Sequence, residues 1–303
     1  MTSTTRIAFL GIGLMGAPMA RRLLQTGFML TAWNRDAAKA QPIKAAGAKI
    51  AATPQQAVRD ADVVISMLAD GDVVDAVLQA ALPSLTFGAL WIDMSSTQQA
   101  QAQRFDAALS GRGLRFLDAP VSGGVAGAEG GTLAIMAGGA QEDFIQAAPI
   151  FDALGRATLV GPAGSGQVAK LCNQLIVGAT LNVVAEALLL AQAAGADPVA
   201  VRAAIRGGFA ESRILEVHGQ RMLERNFMPG GQVRTQLKDQ RNIAAAAAAA
   251  GVALPLTALV TRRYELLAET VPTADHSAAL LALELLNPGH RLGDSPDQLP
   301  AEN

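Results

Sequence analysis

The stretch GIGLMG, residues 11–16, spaces its glycines as G-x-G-x-x-G, at Gly11, Gly13 and Gly16. A strand-like run, RIAFL, precedes it and a helix-like run, MGAPMARRLLQTG, follows, the setting in which this spacing holds a dinucleotide. Gly11 would permit the tight turn, Gly13 would admit a pyrophosphate to the backbone, and Gly16 would let helix and strand pack. The unpaired N–H groups at the positive end of that helix then hold the phosphates, and Leu14 and Met15 lie inside the same turn. A glycine turn without a ligand is the weaker reading once strand and helix flank it.

The end of the next strand selects the dinucleotide. FMLTAW runs into Asn34 and Arg35, not into the carboxylate that would take both ribose hydroxyls of NAD. A guanidinium suits a 2′-phosphate, so NADP is favoured over NAD. The competing reading leaves Arg35 solvated and puts Asp36, one step further on, at the ribose.

A second glycine-rich stretch, FLDAPVSGGVAGAEGGTLAIMAGG, covers residues 116–139, with seven glycines among its twenty-four residues. Apolar runs on both sides exclude a loose linker. Ser122 supplies a hydroxyl, and the N–H groups of Gly123 and Gly124 follow it free of side chains, a combination that makes an anion-binding concavity. Gly127, Gly130 and Gly131 are expected only to let two strands turn. Further along, Lys170 shares a helix face with Asn173 and Gln174, three and four residues on. Taken alone, a lysine on so apolar a helix reaches out to water.

Alternating elements must carry these groups. Up to about residue 160, the strand-like runs RIAFL, FMLTAW, DVVISML, ALWIDM, LRFLDAP, TLAIMAG and ATLV alternate with helical patterns, which predicts a doubly wound parallel sheet. After GPAGSG the strand signal stops. Residues 167–194 read as one long apolar helix; DPVAVRAAIRGG follows, with Asp197 as cap and Pro198 in the first turn, and a run of alanines is later stopped by Gly251. The expected organisation is α/β, a Rossmann-type nucleotide-binding domain over residues 1–162, then an all-helical domain over 163–303, joined by the long helix. A helix that apolar on every side needs cover, which predicts a homo-oligomer, a homodimer or homotetramer. The tail NPGHRLGDSPDQLPAEN is polar and proline-rich and reads as loose.

Composition narrows the partners. A net charge of −2 gives no electrostatic reason to bind nucleic acid or an anionic membrane. The one cysteine, Cys172, excludes an internal disulfide, and His218, His276 and His290 are scattered, so no metal cluster is expected. The opening MTSTTRIAFLGIG lacks a basic segment before a long apolar run, so no signal peptide is expected and the chain reads as cytoplasmic.

GIGLMGAPMA, ISML, IDMSS, the DAPVSGG turn, GSGQVAKLCNQ and LKDQ fall in the order found in one family, which the chain resembles over nearly its whole length: the β-hydroxyacid dehydrogenases. AKLCNQLIVG, AIRGGFAESRIL, ERNFMPG and ADHSA look most like its tartronate semialdehyde reductase branch. The resemblance implies an NAD(P)-dependent oxidoreductase acting on a small carboxylate-bearing substrate. Ser122, Gly123 and Gly124 would bind the carboxylate, and Lys170 would be the catalytic acid, giving a proton to the carbonyl oxygen. An ordinary lysine, titrating near ~10.4, is protonated for that task. Asn173 and Gln174 would face the substrate, and Asp239 would support the lysine or the substrate. Lys238 would approach the cofactor, Ser96 the nicotinamide, and Met67 and Leu68 the adenosine ribose or pyrophosphate.

The chain also departs from the pattern. Gly231 stands where many relatives have an aromatic pocket wall, Gln240 stands in place of a leucine, and a proline common after IDMSS is missing. Loss of the aromatic predicts a larger or wetter pocket. An imine or bulkier-carbonyl reductase shares this architecture, but such relatives replace the lysine that this chain keeps as Lys170. A catalytically silent NADP-binding protein would be expected to lack Lys170 or the SGG turn, and both are present.

Overall fold

The structure is a computed structural model and describes residues 5–301. The chain divides into two compact units, residues 1–170 and 171–303, and the long helix Ser165–Ala193 contains the division.

The first unit is built on nine strands: β1 (Arg6–Leu10), β2 (Met29–Trp33), β3 (Lys49–Ile50), β4 (Val63–Ser66), β5 (Leu90–Asp93), β6 (Arg115–Asp118), β7 (Val121–Ser122), β8 (Leu133–Gly139) and β9 (Gly155–Gly161). They run in the order β3-β2-β1-β4-β5-β6-β8-β7, with β9 paired to β8. From β3 to β6 every pairing is parallel. Helices cover both faces of a parallel sheet, so its strands are apolar on both sides. Phe9, Ile65, Ile92 and Leu117 pack on one side with Met19 and Leu23, while Leu10, Val64, Trp91 and Phe116 pack on the other with Val74, Leu78 and Phe105.

The expected all-parallel sheet is corrected at one edge. β8 runs antiparallel to both β6 and β7, and only β9 returns parallel to it. β7 continues the direction of β6 after Pro120. The glycine-rich link then reverses the chain, using a short helix, Gly124–Gly130, where only a turn was anticipated. Gly131 ends that helix in the left-handed region at φ 65°, and a Cβ there would lie 2.8 Å from Nε of Arg22.

The second unit is helical, and its described residues contain no strand beyond isolated bridges. The long helix, Pro198–Ile205, Arg213–Leu223, Val233–Ala249, Pro255–Thr270 and Ala279–Leu285 enclose a core of Leu181, Leu188, Met222, Phe227, Tyr264 and Leu280. Asp197 accepts the N–H of Val199 with Pro198 in the first turn, as its sequence predicts. The helix that carries the alanine run ends at Ala249, and Gly251, at φ 68°, turns the chain out.

The described residues of the tail are not loose. Arg225 is buried, and its guanidinium takes both carboxylate oxygens of Glu284 at 2.8 Å, the carbonyl of Leu292 at 2.8 Å, and Asp297. Leu292 is buried, and the N–H of Phe227 donates to the carbonyl of Gln298 at 2.9 Å. A buried guanidinium needs partners on every edge, and Glu284 and the tail supply them.

Candidate active site

The strand order reverses between β1 and β4, and ligands of open α/β sheets bind outside the carboxyl ends of strands at such a point. GIGLMG follows β1 there, and Met67 and Leu68 follow β4. Gly11 has φ 106°, and a Cβ on it would stand 2.2 Å from the carbonyl of Met67; a Cβ on Gly16 would stand 1.9 Å from the carbonyl of Gly11. Both glycines are therefore obligatory for packing. Gly13 differs, because a Cβ there would meet nothing within 4 Å. This open backbone at the start of the helix Gly16–Gln25 fits a dinucleotide pyrophosphate.

Asn34 is tied into the glycine turn. Its Oδ1 accepts the N–H of Ile12 at 2.8 Å and its Nδ2 donates to the carbonyl of Asp36 at 2.8 Å, bracing the glycine turn. Asp36 is occupied as a cap, accepting the N–H of Ala38 at 3.0 Å. Arg35 is exposed and enters no ion pair among the described residues. Both the Arg35 guanidinium and the second oxygen of Asp36 face solvent at the end of β2.

The IDMSS loop after β5 is joined to the ISML loop after β4 through Ser95, the neighbour of Ser96. Ser95 Oγ accepts the N–H of Leu68 at 2.9 Å. Asp93, fully buried at the end of β5, accepts from Ser66 Oγ at 2.8 Å and from the N–H of Ser95 at 3.2 Å. Its sheet neighbour across β6 is Asp118, also fully buried. Burial pushes both carboxyls up to about 6, against the hydrogen bonds they accept.

Asp118 reaches the start of the long helix. It accepts the N–H of Gly164 and the N–H of Gln167, each at 2.7 Å. The approach needs bare backbone: a Cβ on Gly166 would lie 2.3 Å from the carbonyl of Met136, and one on Gly138 would lie 2.6 Å from Asp118 Oδ1. Gln167 is fully buried; its Oε1 accepts the N–H of Thr97 at 2.9 Å and its Nε2 donates to the carbonyl of Ser95 at 2.9 Å. Lys170 follows one turn later and is only 8% exposed, so it is not a lysine reaching for water. Ser122 ends β7, with the exposed residues Gly123 and Gly124 directly after it. Gly123 (φ 138°) and Gly124 (φ 63°) hold conformations that suit glycine.

In the second unit, Asn173 and Gln174 open a polar cluster. Asn173 Nδ2 donates to Gln174 Oε1 at 2.8 Å, and Gln174 Nε2 donates to Asp239 Oδ2 at 2.7 Å. Gln236 and Gln240 each donate to the carbonyl of Gln174 at 3.3 Å. Gln236, Asp239 and Gln240 are buried. The amide of Gln174 is therefore turned to Asp239, a structural bond that sequence reasoning did not foresee. Gln240, the departure from leucine, belongs to this cluster and lies against Gly178, where a Cβ would be 2.3 Å from its Nε2. Lys238 stands 3.6 Å from Asp239 Oδ1.

Gly231 does not open a void. A Cβ there would lie 2.8 Å from Cε1 of His276, whose ring fills the space. His276 and His218, scattered in sequence, bring their Nε2 atoms to 3.3 Å. Ser95, Asp93, Asp118 and Gln167 were missed because their partners lie on other elements, and the only signal was their polarity next to apolar strand ends.

A doubly wound sheet with an open glycine turn at its switch point, followed by a helical unit, defines the class of nicotinamide-dependent dehydrogenases. Residues 6–164 match the family described as the NAD binding domain of 6-phosphogluconate dehydrogenase, and residues 164–283 match the NAD-binding family of NADP-dependent 3-hydroxyisobutyrate dehydrogenase. The 2-hydroxy-3-oxopropionate reductase of Escherichia coli K12 is 40% identical over 93% of this chain and 98% of its own length. An NAD-dependent L-serine dehydrogenase of Pseudomonas aeruginosa is 36% identical over 86% of this chain and 92% of its own. The solved structure of Mycobacterium tuberculosis 3-hydroxyisobutyrate dehydrogenase with L-serine superposes with a TM-score of 0.87 at 31% identity, covering 93% of this chain and 99% of that one. The chain belongs to the 3-hydroxyisobutyrate dehydrogenase family of β-hydroxyacid dehydrogenases, NAD(P)-dependent oxidoreductases acting on CH–OH groups.

Proposed function

We propose that the chain is an NADP(H)-preferring reductase that converts a small aldehyde acid to its hydroxy acid. The substrate class is that of tartronate semialdehyde, succinic semialdehyde and glyoxylate, or 3-hydroxyisobutyrate in the oxidative direction. The observation that carries this reading is the burial of Lys170 one turn beyond Gln167. The Ser122-Gly123-Gly124 turn, with Ser122 half-buried and both glycines exposed, supports a carboxylate anchor, and exposed Arg35 supports the 2′-phosphate of NADP.

When bound at the Gly11–Gly16 turn, a reduced nicotinamide dinucleotide supplies the hydride. Lys170 gives its proton to the carbonyl oxygen, so that C=O becomes CH–OH, and its charge stabilises the alkoxide developing there. In oxidation the neutral amine takes the hydroxyl proton back. Asp239 orients Gln174 through the 2.7 Å bond, which fixes the side chains on that stretch of helix. The enzyme acts as a cytoplasmic homo-oligomer without nucleic acid or membrane partners. Ile176, Val183 and Leu190, exposed at seven-residue intervals on the long helix, support an apolar contact with a second copy.

The test is a kinetic panel: the three aldehyde acids, each with NADPH or NADH, and 3-hydroxyisobutyrate with NADP⁺ or NAD⁺. Tartronate semialdehyde with NADPH is expected to give the highest kcat/KM. Tight cofactor binding with no turnover of any of them would contradict the proposal.

A further inference from the structure

His218 and His276 take no part in the proposed reaction. His218 lies on the helix Arg213–Leu223, and His276 begins the single turn His276–Ala278, 58 residues further on. Their Nε2 atoms are 3.3 Å apart, with the rings inclined at 76°. We propose that His218 and His276 form a bidentate site for a borderline divalent transition-metal ion, Zn²⁺ or a near neighbour such as Co²⁺.

The separation suits the chemistry. Two nitrogens each ~2.0–2.1 Å from zinc, at a tetrahedral angle, stand about 3.3–3.4 Å apart. The ion takes the place of the hydrogen between the rings, with His276 carrying its proton on Nδ1, and water or a solute carboxylate completes the coordination.

The surroundings orient the ligands. Asp275 Oδ1 is 3.3 Å from His218 Nδ1, and the carboxylate is itself fixed by the N–H groups of Ser277 and Gly231, each at 3.0 Å. The nearby negative charge draws the proton of His218 to Nδ1 and leaves Nε2 for the ion, as carboxylates beside zinc-binding histidines do. Gly231 leaves the room that the His276 ring occupies, since a Cβ would come within 3.2 Å of its Nε2. His218 keeps 19% of its side chain exposed, so an ion can enter from solvent. Arg221 Nε, 3.5 Å from Asp275 Oδ1, competes for that carboxylate.

Binding ties two separate elements together, so the ion stabilises the folded protein by mass action. The full chain, stripped with a chelator, is titrated with CoCl₂ by visible absorption and with ZnCl₂ by calorimetry and thermal melting. One equivalent, micromolar affinity and a Tm that rises with zinc are expected. His218→Gln and His276→Gln should each weaken binding at least about tenfold, Gly231→Ala should weaken it, and His290→Gln and Cys172→Ser should leave it unchanged. Equal affinity in the wild type and both histidine variants, or loss of binding with Cys172→Ser alone, would overturn the proposal. The readouts are binding and melting, so they stand apart from catalytic turnover.

Discussion

Gln167 holds Thr97: its buried amide oxygen accepts the Thr97 N–H at 2.9 Å, while its amide nitrogen donates to the carbonyl of Ser95 at 2.9 Å. The loop after β5 is thereby clasped to the helix that carries Lys170. Gln167→Ala leaves a buried N–H and a buried carbonyl unpaired, a loss of about 2–4 kcal/mol in urea denaturation. Small shifts of a positioned acid reduce turnover steeply, so kcat is expected to fall by about 10²-fold. The cofactor dissociation constant should stay within about threefold of wild type, because the glycine turn is braced separately by Asn34. A fall in cofactor affinity equal to the fall in kcat would show general unfolding of the site.

Arg35 is an exposed cation at the end of β2, and Asp36 beside it caps the next turn through Oδ1. Arg35→Asp removes a charge-assisted contact to a 2′-phosphate, worth about 1.5–3 kcal/mol, and adds repulsion. The kcat/KM for NADPH is expected to fall by about 10- to 100-fold while that for NADH holds or rises. Unchanged discrimination would place recognition of the phosphate elsewhere.

Asp93 and Asp118 are sheet neighbours, each raised by burial from 3.8 to about 6. In this window the folded chain binds more protons than the unfolded one, so these two groups add stability as pH falls from 7 through 6 towards 4. Above pH 7 the penalty of the buried charge is fully present. Asp93→Asn should flatten this contribution, seen as a smaller difference between urea midpoints at pH 5 and pH 7.5 than in the wild type. An identical pH response in the two proteins would count against the shift.

Much of this arrangement was legible in the chain. Gly11 and Gly16 announced a turn because no other residue tolerates backbone at 2.2 Å and 1.9 Å from its Cβ position. The strands β1, β4 and β5 were legible because burial on both faces demands continuous apolar runs. The reversal at β8 was not, since a strand carries no mark of its direction. Asp118 and Gln167 lie 49 residues apart, and their bond exists only because Gly138 and Gly166 let two backbones approach. Polar tail residues such as Asp297 resembled disorder until the buried Arg225 that requires them was seen. The pairing of His218 with His276 likewise depends on a glycine at 231 making room for a ring.

The central claim is that the buried ammonium of Lys170 delivers the proton. Lys170→Met keeps the apolar stem and removes only the charge. Single-turnover reduction of tartronate semialdehyde by the NADPH complex should slow by about 10²- to 10⁴-fold, with cofactor affinity within about threefold. A variant that retained a rate within tenfold of wild type would contradict the account.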